Sequence, residues 1–254
     1  MARFKIVDCR LCGYGGFPYA VGKLAETKEE PGLHSCARAL DCYAGVDHLT
    51  RPLRFLVVEV SGAVTTDKMF KDTTISTKIT PSKEMKQGDW MATAFAEVKT
   101  KTDAVKFACL AAGLGEVAWL KKVPFEAKME LLEAAKYGRA EVVRVILEAR
   151  EHDFATVHTY GPTALYLAAL GGFVPLMEYL YAYIGKYGGI TPAEAERVLL
   201  GAAASGIIGA LELAIKWGAK DLGKARYTAE LHGRNAVVKK IDSANPPPAH
   251  EETI

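Results

Sequence analysis

The densest set of reactive side chains lies in the first fifty residues: Cys9, Cys12, His34, Cys36, Cys42 and His48. Cys9-x-x-Cys12 with His34-x-Cys36 offers four soft ligands, the number a structural zinc takes. The spacing argues against it. There is one short pair rather than two, and His-x-Cys is unusual as the second. A strand through residues 3–12 would also send Cys9 and Cys12 to opposite faces. We therefore expect no zinc, and read the cysteines as buried free thiols. A second chemistry would use Cys36 as a thiolate with His34 as its base, since side chains two apart on a strand share a face. No third group stands at a spacing that would orient such a pair. No Gly-x-Gly-x-x-Gly follows a strand and no Gly-Lys-Ser/Thr loop is present, so no nucleotide cofactor is expected.

The elements that must hold these residues are short. Arg3 to Val7 alternates and reads as a strand. Phe55 to Val60 is a β-branched run bounded by Arg54 and by Ser61-Gly62, and reads as a buried strand. Thr73 to Thr80 alternates, with Pro81 ending it. His34 to Tyr43 reads as one short helix, with Cys36, Leu40 and Tyr43 on one face. Pro81 to Asp89 is polar and reads as a linker or exposed loop. After Trp90 the sequence turns helical and alanine-rich. Ser243 to Ile254 carries Pro246-Pro247-Pro248 and has no apolar period, so it reads as an extended tail.

Composition sets the class. With 254 residues, half of them hydrophobic, the chain can bury a core along most of its length. Thirty-two basic and 30 acidic residues leave a formal charge of +2, which gives no reason to expect nucleic acid as partner. No apolar run reaches the length of a membrane span. Five cysteines, an odd number, and a polar N-terminus point to free thiols in a reducing compartment, hence a soluble, cytoplasmic protein.

The second half repeats. Alanine pairs at 134, 168 and 202 stand 34 residues apart each time, and each leads to a glycine: Gly138, Gly172 and Gly206. A period near 33 residues marks a stacked helical repeat. Within each unit a first helix carries small residues, a left-handed glycine ends it, and a second helix follows with large apolar residues. Those are Val142, Val143, Ile146 and Leu147 in one unit, Leu176, Met177 and Leu180 in the next, then Leu211 and Ile215.

On these residues the chain resembles the ankyrin repeat family. The best match is Tyr160-Gly161-Pro162-Thr163-Ala164-Leu165-Tyr166-Leu167-Ala168-Ala169, similar to the family's Gly-x-Thr-Pro-Leu-His-x-Ala-Ala start of the first helix. Gly138 to Val143 and Trp217 to Asp221 are similarly close. A shorter copy spans Ala229 to Val238 and a partial one Leu110 to Trp119, so the likeness covers residues 105–241. Tyr166 stands where the family has its histidine, and the connector Gly185 to Pro192 is not the usual finger. The resemblance implies another protein as partner, bound on a concave face near the repeat starts, and no catalytic residue. The contact residues it points to are His158, Tyr160, Tyr166, Tyr187 and Arg226. The competing role for Tyr166, and for Tyr179, Tyr181 and Tyr183, is packing between helices.

The order Gly16-Phe17-x-Tyr19-x-x-Gly22-Lys23, Gly32-Leu33-His34-x-Cys36, Leu40-Asp41-x-Tyr43 resembles a domain of phage and prophage proteins of unknown function, over residues 13–80. It implies a viral or prophage source, with the bacterial host cytoplasm or a virion as location, and no activity. The same order is similar to ADP-ribosyltransferase-like folds. In that likeness His34 or Tyr14 would hold the nicotinamide ribose and Glu59 would stabilise the cation, but the paired Glu-x-Glu and the Ser-Thr-Ser strand are missing. The expected architecture is α+β: a small mixed α/β domain over 1–85, a linker or lead-in over 86–104, an all-α ankyrin-like stack over 105–241, and a Pro-rich tail over 242–254. The expected role is protein–protein interaction as a phage or prophage accessory protein, without cofactor, metal or membrane, with a homo-oligomer allowed. An enzyme whose repeats select its target and a virion component are the alternatives.

Overall fold

The computed structural model describes residues 3–13, 17–27, 32–43, 51–67, 73–126, 128–149 and 154–244, with side chains from Thr159 onward in the last segment. His48, Tyr14 and the Pro-rich tail from 245 lie outside the described residues. The chain is α+β, an antiparallel sheet followed by helices, and it divides into two compact units. One holds Met1–Ala111 with Lys122–Pro124, the other Ala112–Lys121 with Phe125–Ile254.

The first unit has strands β1 (Arg3–Val7), β2 (Ala25–Glu26), β3 (Leu33–Cys36), β4 (Arg54–Thr66) and β5 (Thr73–Met85). All pairings are antiparallel. β1 lies between β3 and β4, and β5 also pairs with both, so the ladder closes on itself, with β2 added to β5. Closure gives the sheet an inside, filled by Val7, Tyr19, Ala25, Leu33, Leu56, Val58 and Ile79. On the other face of β1 and β4, Phe4 and Phe55 meet the indole of Trp90, with ring centroids 5.5 and 5.0 Å away.

Three expectations change here. Residues 34–43 are not one helix: β3 pairs on both edges through residue 36, and a 3-10 helix follows at Ala39–Tyr43. Two-sided backbone pairing outweighs the local helical pattern. Pro81 does not end its strand; it sits opposite Val58 at a register shift, where a ladder tolerates a residue with no N–H. Residues 86–104 are not a linker: α1 (Gln87–Ala96) buries Trp90, Met91 and Ala94, and α2 (Lys101–Leu114) begins within the same unit.

The second unit is built from helix pairs. After α3 (Val117–Leu120) come α4 (Met129–Lys136) with α5 (Ala140–Glu148), α6 (Phe154–Leu170) with α7 (Val174–Gly185), α8 (Pro192–Ser205) with α9 (Ile208–Lys216), and α10 (Leu222–Leu231) with α11 (Asn235–Ala244). First helices α4, α6, α8 and α10 pack in a row, and α7, α9 and α11 form a second layer. The repeated alanines Ala134, Ala168 and Ala202 are fully buried. Small side chains let neighbouring first helices approach.

Each pair turns at a glycine with positive φ: 66° at Gly138, 69° at Gly172, 82° at Gly206 and 67° at Gly233. The turn is closed in the Schellman manner. Arg139 N donates to Ala134 O at 2.8 Å and Gly138 N to Ala135 O at 3.1 Å. Phe173 and Gly172 repeat this on Ala168 and Ala169, and Arg234 and Gly233 on Ala229 and Glu230. At the third turn the Ser205 hydroxyl stands between, donating to Ala202 O at 2.7 Å and accepting from Ile207 N at 3.1 Å.

These glycines also join consecutive pairs. A Cβ on Gly138 would come within 2.7 Å of the Phe173 ring, one on Gly172 within 2.4 Å of Ile207, and one on Gly206 within 2.8 Å of Arg234. The side chain after each glycine thus lies on the glycine of the pair before. Gly115, φ 86°, takes Arg139 in the same way, with 3.3 Å to a Cβ there. The expected start at Gly161-Pro162 is different: it lies inside α6, both residues buried, because the helix begins earlier, at Phe154.

Gly172 and Gly233 share a backbone conformation, yet a Cβ on Gly233 would meet nothing within 4 Å. Gly233→Ala is expected to cost about 1–2 kcal/mol, the penalty of left-handed backbone alone. Gly172→Ala carries that penalty plus displacement of Ile207, and should cost at least twice as much in urea unfolding followed by circular dichroism. Equal losses would remove the glycine contact as the joint between pairs.

Candidate functional site

Two places in the described residues hold features that packing alone does not require. The first is the polar cluster of the sheet unit. Lys5 lies on the side of β1 that carries Val7, so closure of the sheet turns it inward, 7% exposed. Its Nζ donates to the His34 carbonyl oxygen at 2.6 Å and lies 4.8 Å from the Tyr19 ring centroid. Among the described residues it has no carboxylate partner. Burial pushes the Lys5 amine down to about 8, partly opposed by the nearby Cys42 and Cys36. A Cβ at Gly13 would come within 3.3 Å of its Cε, so the glycine leaves the amine its room.

Nearby, Cys36 ends β3 and Cys42 lies in the 3-10 helix, both buried, with the Cys42 thiol donating weakly to the Arg38 carbonyl at 3.6 Å. The Cys36 thiol is held below its usual value by the neighbouring Cys42 and by Thr73, whose hydroxyl is 3.7 Å away. Burial pushes the Cys42 thiol well up, and the neighbouring Cys36 adds to it. The 3-10 helix is fixed from outside. Glu97 accepts from Ala39 N and Leu40 N at 3.2 and 2.9 Å. Asp41 accepts from Arg38 at 2.7 and 2.8 Å and from Lys106 at 2.8 Å. Arg38 also donates to Asp103 at 2.9 Å, and with Thr100 and Lys99 holds that carboxyl down at about 2.

The sequence candidates of this unit do not converge on one point. His34 Nε2 lies 3.3 Å from Asp67. Burial and the charge of Lys5 lower the His34 pKa against the pull of Asp67, so near pH 7 the contact is a neutral imidazole donating to a carboxylate. Glu59 is exposed on β4 opposite Thr80, whereas His34 stands opposite Ile75. Five residues of one strand separate those positions, roughly 15 Å. Cys9 and Cys12 are half-buried, and no group of three or more metal-ligating side chains forms among the described residues.

The second place is an edge of the helical array. Leu170 is 40% exposed, Ile207 44%, Ile208 37% and Leu231 71%. Each lies within two residues of a turn glycine, and the Ile207–Gly172 and Arg234–Gly206 contacts join the turns. The four side chains are therefore exposed apolar groups at the turn ends of the helix pairs. Sequence reading passed over them. The signal available was an isoleucine pair directly after Gly206, and a leucine two residues before Gly172 and Gly233, where a polar residue would serve the turn equally well.

The candidates near the repeat starts stand otherwise. Tyr166 is half-buried in α6; its ring lies 3.1 Å from where a Cβ of Gly201 would be, and the Arg197 guanidinium is 5.4 Å from its centroid. Tyr160 is half-buried in the same helix, and His158 has its backbone there with its side chain outside the described set. Tyr187 is half-buried, its hydroxyl 3.5 Å from that of Tyr183. Arg226 pairs with Asp242 at 2.6 Å and Glu230 at 2.8 Å. The tyrosines of α7 pack between helices: Tyr183 donates to Leu147 O at 2.9 Å, and Tyr181 stacks on Trp217 at 4.2 Å.

No known protein family matches this chain. No curated protein matches it as a relative. No helix among the described residues is long and apolar enough to cross a membrane.

Lys5 fixes a pH signature. Its folded pKa lies below its unfolded value of 10.5, so between about pH 8 and 10.5 the unfolded chain binds more protons and stability rises with pH from this group. Below pH 8 the buried charge opposes folding. Lys5→Met is therefore expected to match or exceed wild type in stability at pH 7, with an advantage that shrinks by up to about 3 kcal/mol towards pH 10.5. Denaturant midpoints at pH 7, 8.5 and 10 read it. A wild-type advantage at pH 7 would mean that the His34 and Tyr19 contacts outweigh burial.

Proposed function

We propose that this chain is a protein-binding module that docks another protein along the glycine-turn edge of its helical array, in the setting of a phage or prophage accessory protein. The observation that carries the reading is the exposure of Leu170, Ile207, Ile208 and Leu231 at the glycine turns. Four large apolar side chains stand in water at the turns, beside an interior closed by alanine, leucine, valine, isoleucine and methionine. Patches of this kind on a rigid scaffold mark interaction sites. Ankyrin-like arrays act as binding surfaces, and the 34-residue spacing supports that family likeness. The binding surface proposed differs from the one the family pattern implies, because Tyr166, Tyr187 and Arg226 already have partners within the chain.

The test uses a partner selected by affinity capture on the full chain. Ile208→Asp with Leu231→Asp, checked for unchanged helicity, is expected to weaken binding at least about tenfold, since burying either carboxylate costs more than 1.4 kcal/mol. Full affinity in this variant, with loss on His34→Ala or Glu59→Ala, would transfer the function to the sheet unit.

A further inference from the structure

We propose that the chain pairs with a second copy of itself through the outer face of α10, antiparallel about a two-fold axis at Tyr227. A repeat inside the array marks the face. Ala164-x-Tyr166-x-Ala168-x-Leu170-x-Gly172 in α6 recurs as Ala225-x-Tyr227-x-Ala229-x-Leu231-x-Gly233 at α10. The alanines of both are fully buried. Residues two apart on a helix point about 200° apart, so each tyrosine faces away from its alanines. In α6 that side meets the next first helix: the Tyr166 ring lies 3.1 Å from where a Cβ of Gly201 in α8 would be. α10 packs on α8 and is the last first helix of the described residues. Tyr227 has the place of Tyr166 but is 68% exposed, and Leu231 is 71% exposed. The turn ends in the same way. Gly138, Gly172 and Gly206 each carry a side chain of the following pair, whereas a Cβ at Gly233 would meet nothing within 4 Å. A stacked array needs a polar outer face where it stops, and a tyrosine with a leucine does not supply one.

Charge placement names the occupant. Gly223, Lys224, Tyr227, Glu230 and Leu231 are all exposed and stand at the i±3 and i±4 positions about Tyr227, on one face of α10. Lys224 comes three residues before Tyr227 and Glu230 three after. An antiparallel second copy therefore sets each Lys224 opposite a Glu230, two opposite-charge pairs per dimer. A parallel copy would set like charges together. The antiparallel copy also sets each Leu231 opposite a Gly223, where a Cβ would meet only the Asp221 carboxylate, at 3.6 Å. A large side chain resting on a helix glycine is already the mode of Tyr166 on Gly201. Lys224 and Glu230 have partners within the chain, Asp221 at 2.7 Å and Arg226 at 2.8 Å, and both stay exposed enough to take a second one. The contact is isologous and one helix wide, so the dimer is weak and concentration-dependent. Leu231 is shared with the turn-edge reading, but the pairing does not rest on that reading.

Sedimentation velocity of the full chain, from micromolar to near-millimolar concentration, reads the pairing. Wild type is expected to pass from monomer to dimer. Tyr227→Asp should weaken the dimer at least about tenfold, because it buries two carboxylates in the interface. Lys224→Glu and Glu230→Lys should each weaken it about threefold, as exposed pairs do, and the two together should restore wild-type affinity. Ile208→Asp, at the turn edge, should leave the dimer unchanged, so that loss of a captured partner and loss of the dimer are read separately. A monomer at every concentration would overturn the proposal and leave the α10 face to another occupant. So would a dimer that Tyr227→Asp leaves intact, or one that Ile208→Asp abolishes. A double charge exchange that dimerises no better than either single change would overturn the antiparallel arrangement. Circular dichroism of every variant separates a folding defect from a lost contact, and Tyr227→Ala takes the place of Tyr227→Asp if the latter unfolds.

Discussion

The helical array depends on a backbone angle. At Gly138, Gly172, Gly206 and Gly233 the chain leaves one helix with positive φ, which only glycine adopts without strain. That angle does two things at once. At Gly138, Gly172 and Gly233 it goes with hydrogen bonds from the glycine N–H and the N–H after it back to carbonyls at the end of the helix. It also exposes a patch of bare backbone on which the following pair can rest a side chain. Phe173, Ile207 and Arg234 differ in chemistry, but each uses the same space. The joint therefore constrains the glycine strictly and its occupant loosely.

The sheet unit depends on closure in a comparable way. Because β5 pairs with β4 along one edge and with β3 along the other, a strand such as β1 has one side in a sealed interior. A lysine there is costly, and the structure keeps it by offering a carbonyl oxygen and an aromatic face instead of a carboxylate. The ion network around Arg38, Asp41 and Asp103 then holds the 3-10 helix, and with it Cys42, against the end of β3.

Much of this was legible in the sequence. The strands at 3–7 and 55–60 follow from alternation and β-branching, and the turn glycines from their spacing. What escaped shares one property: it depends on contacts distant in sequence. Lys5 reads as a solvent residue until the sheet is known to close. His34 to Cys36 looks helical until both edges of its strand are paired. Pro81 looks like a stop until the shifted register gives its missing N–H nothing to do. Gly161-Pro162 looks like a helix start until the preceding residues join the helix. The exposed isoleucines and leucines draw no reading of their own, because sequence identifies an apolar residue but not the edge of the array on which it lands.

The interchangeability of the joint has a consequence for how such a chain changes over generations. Since Phe173 and Ile207 rest on glycines of nearly the same φ, 66° at Gly138 and 69° at Gly172, either knob matches either socket. A crossover between two turn glycines removes or adds one whole 34-residue unit and still leaves a knob facing a socket. The array can then change length in integral steps without any new interface having to be invented.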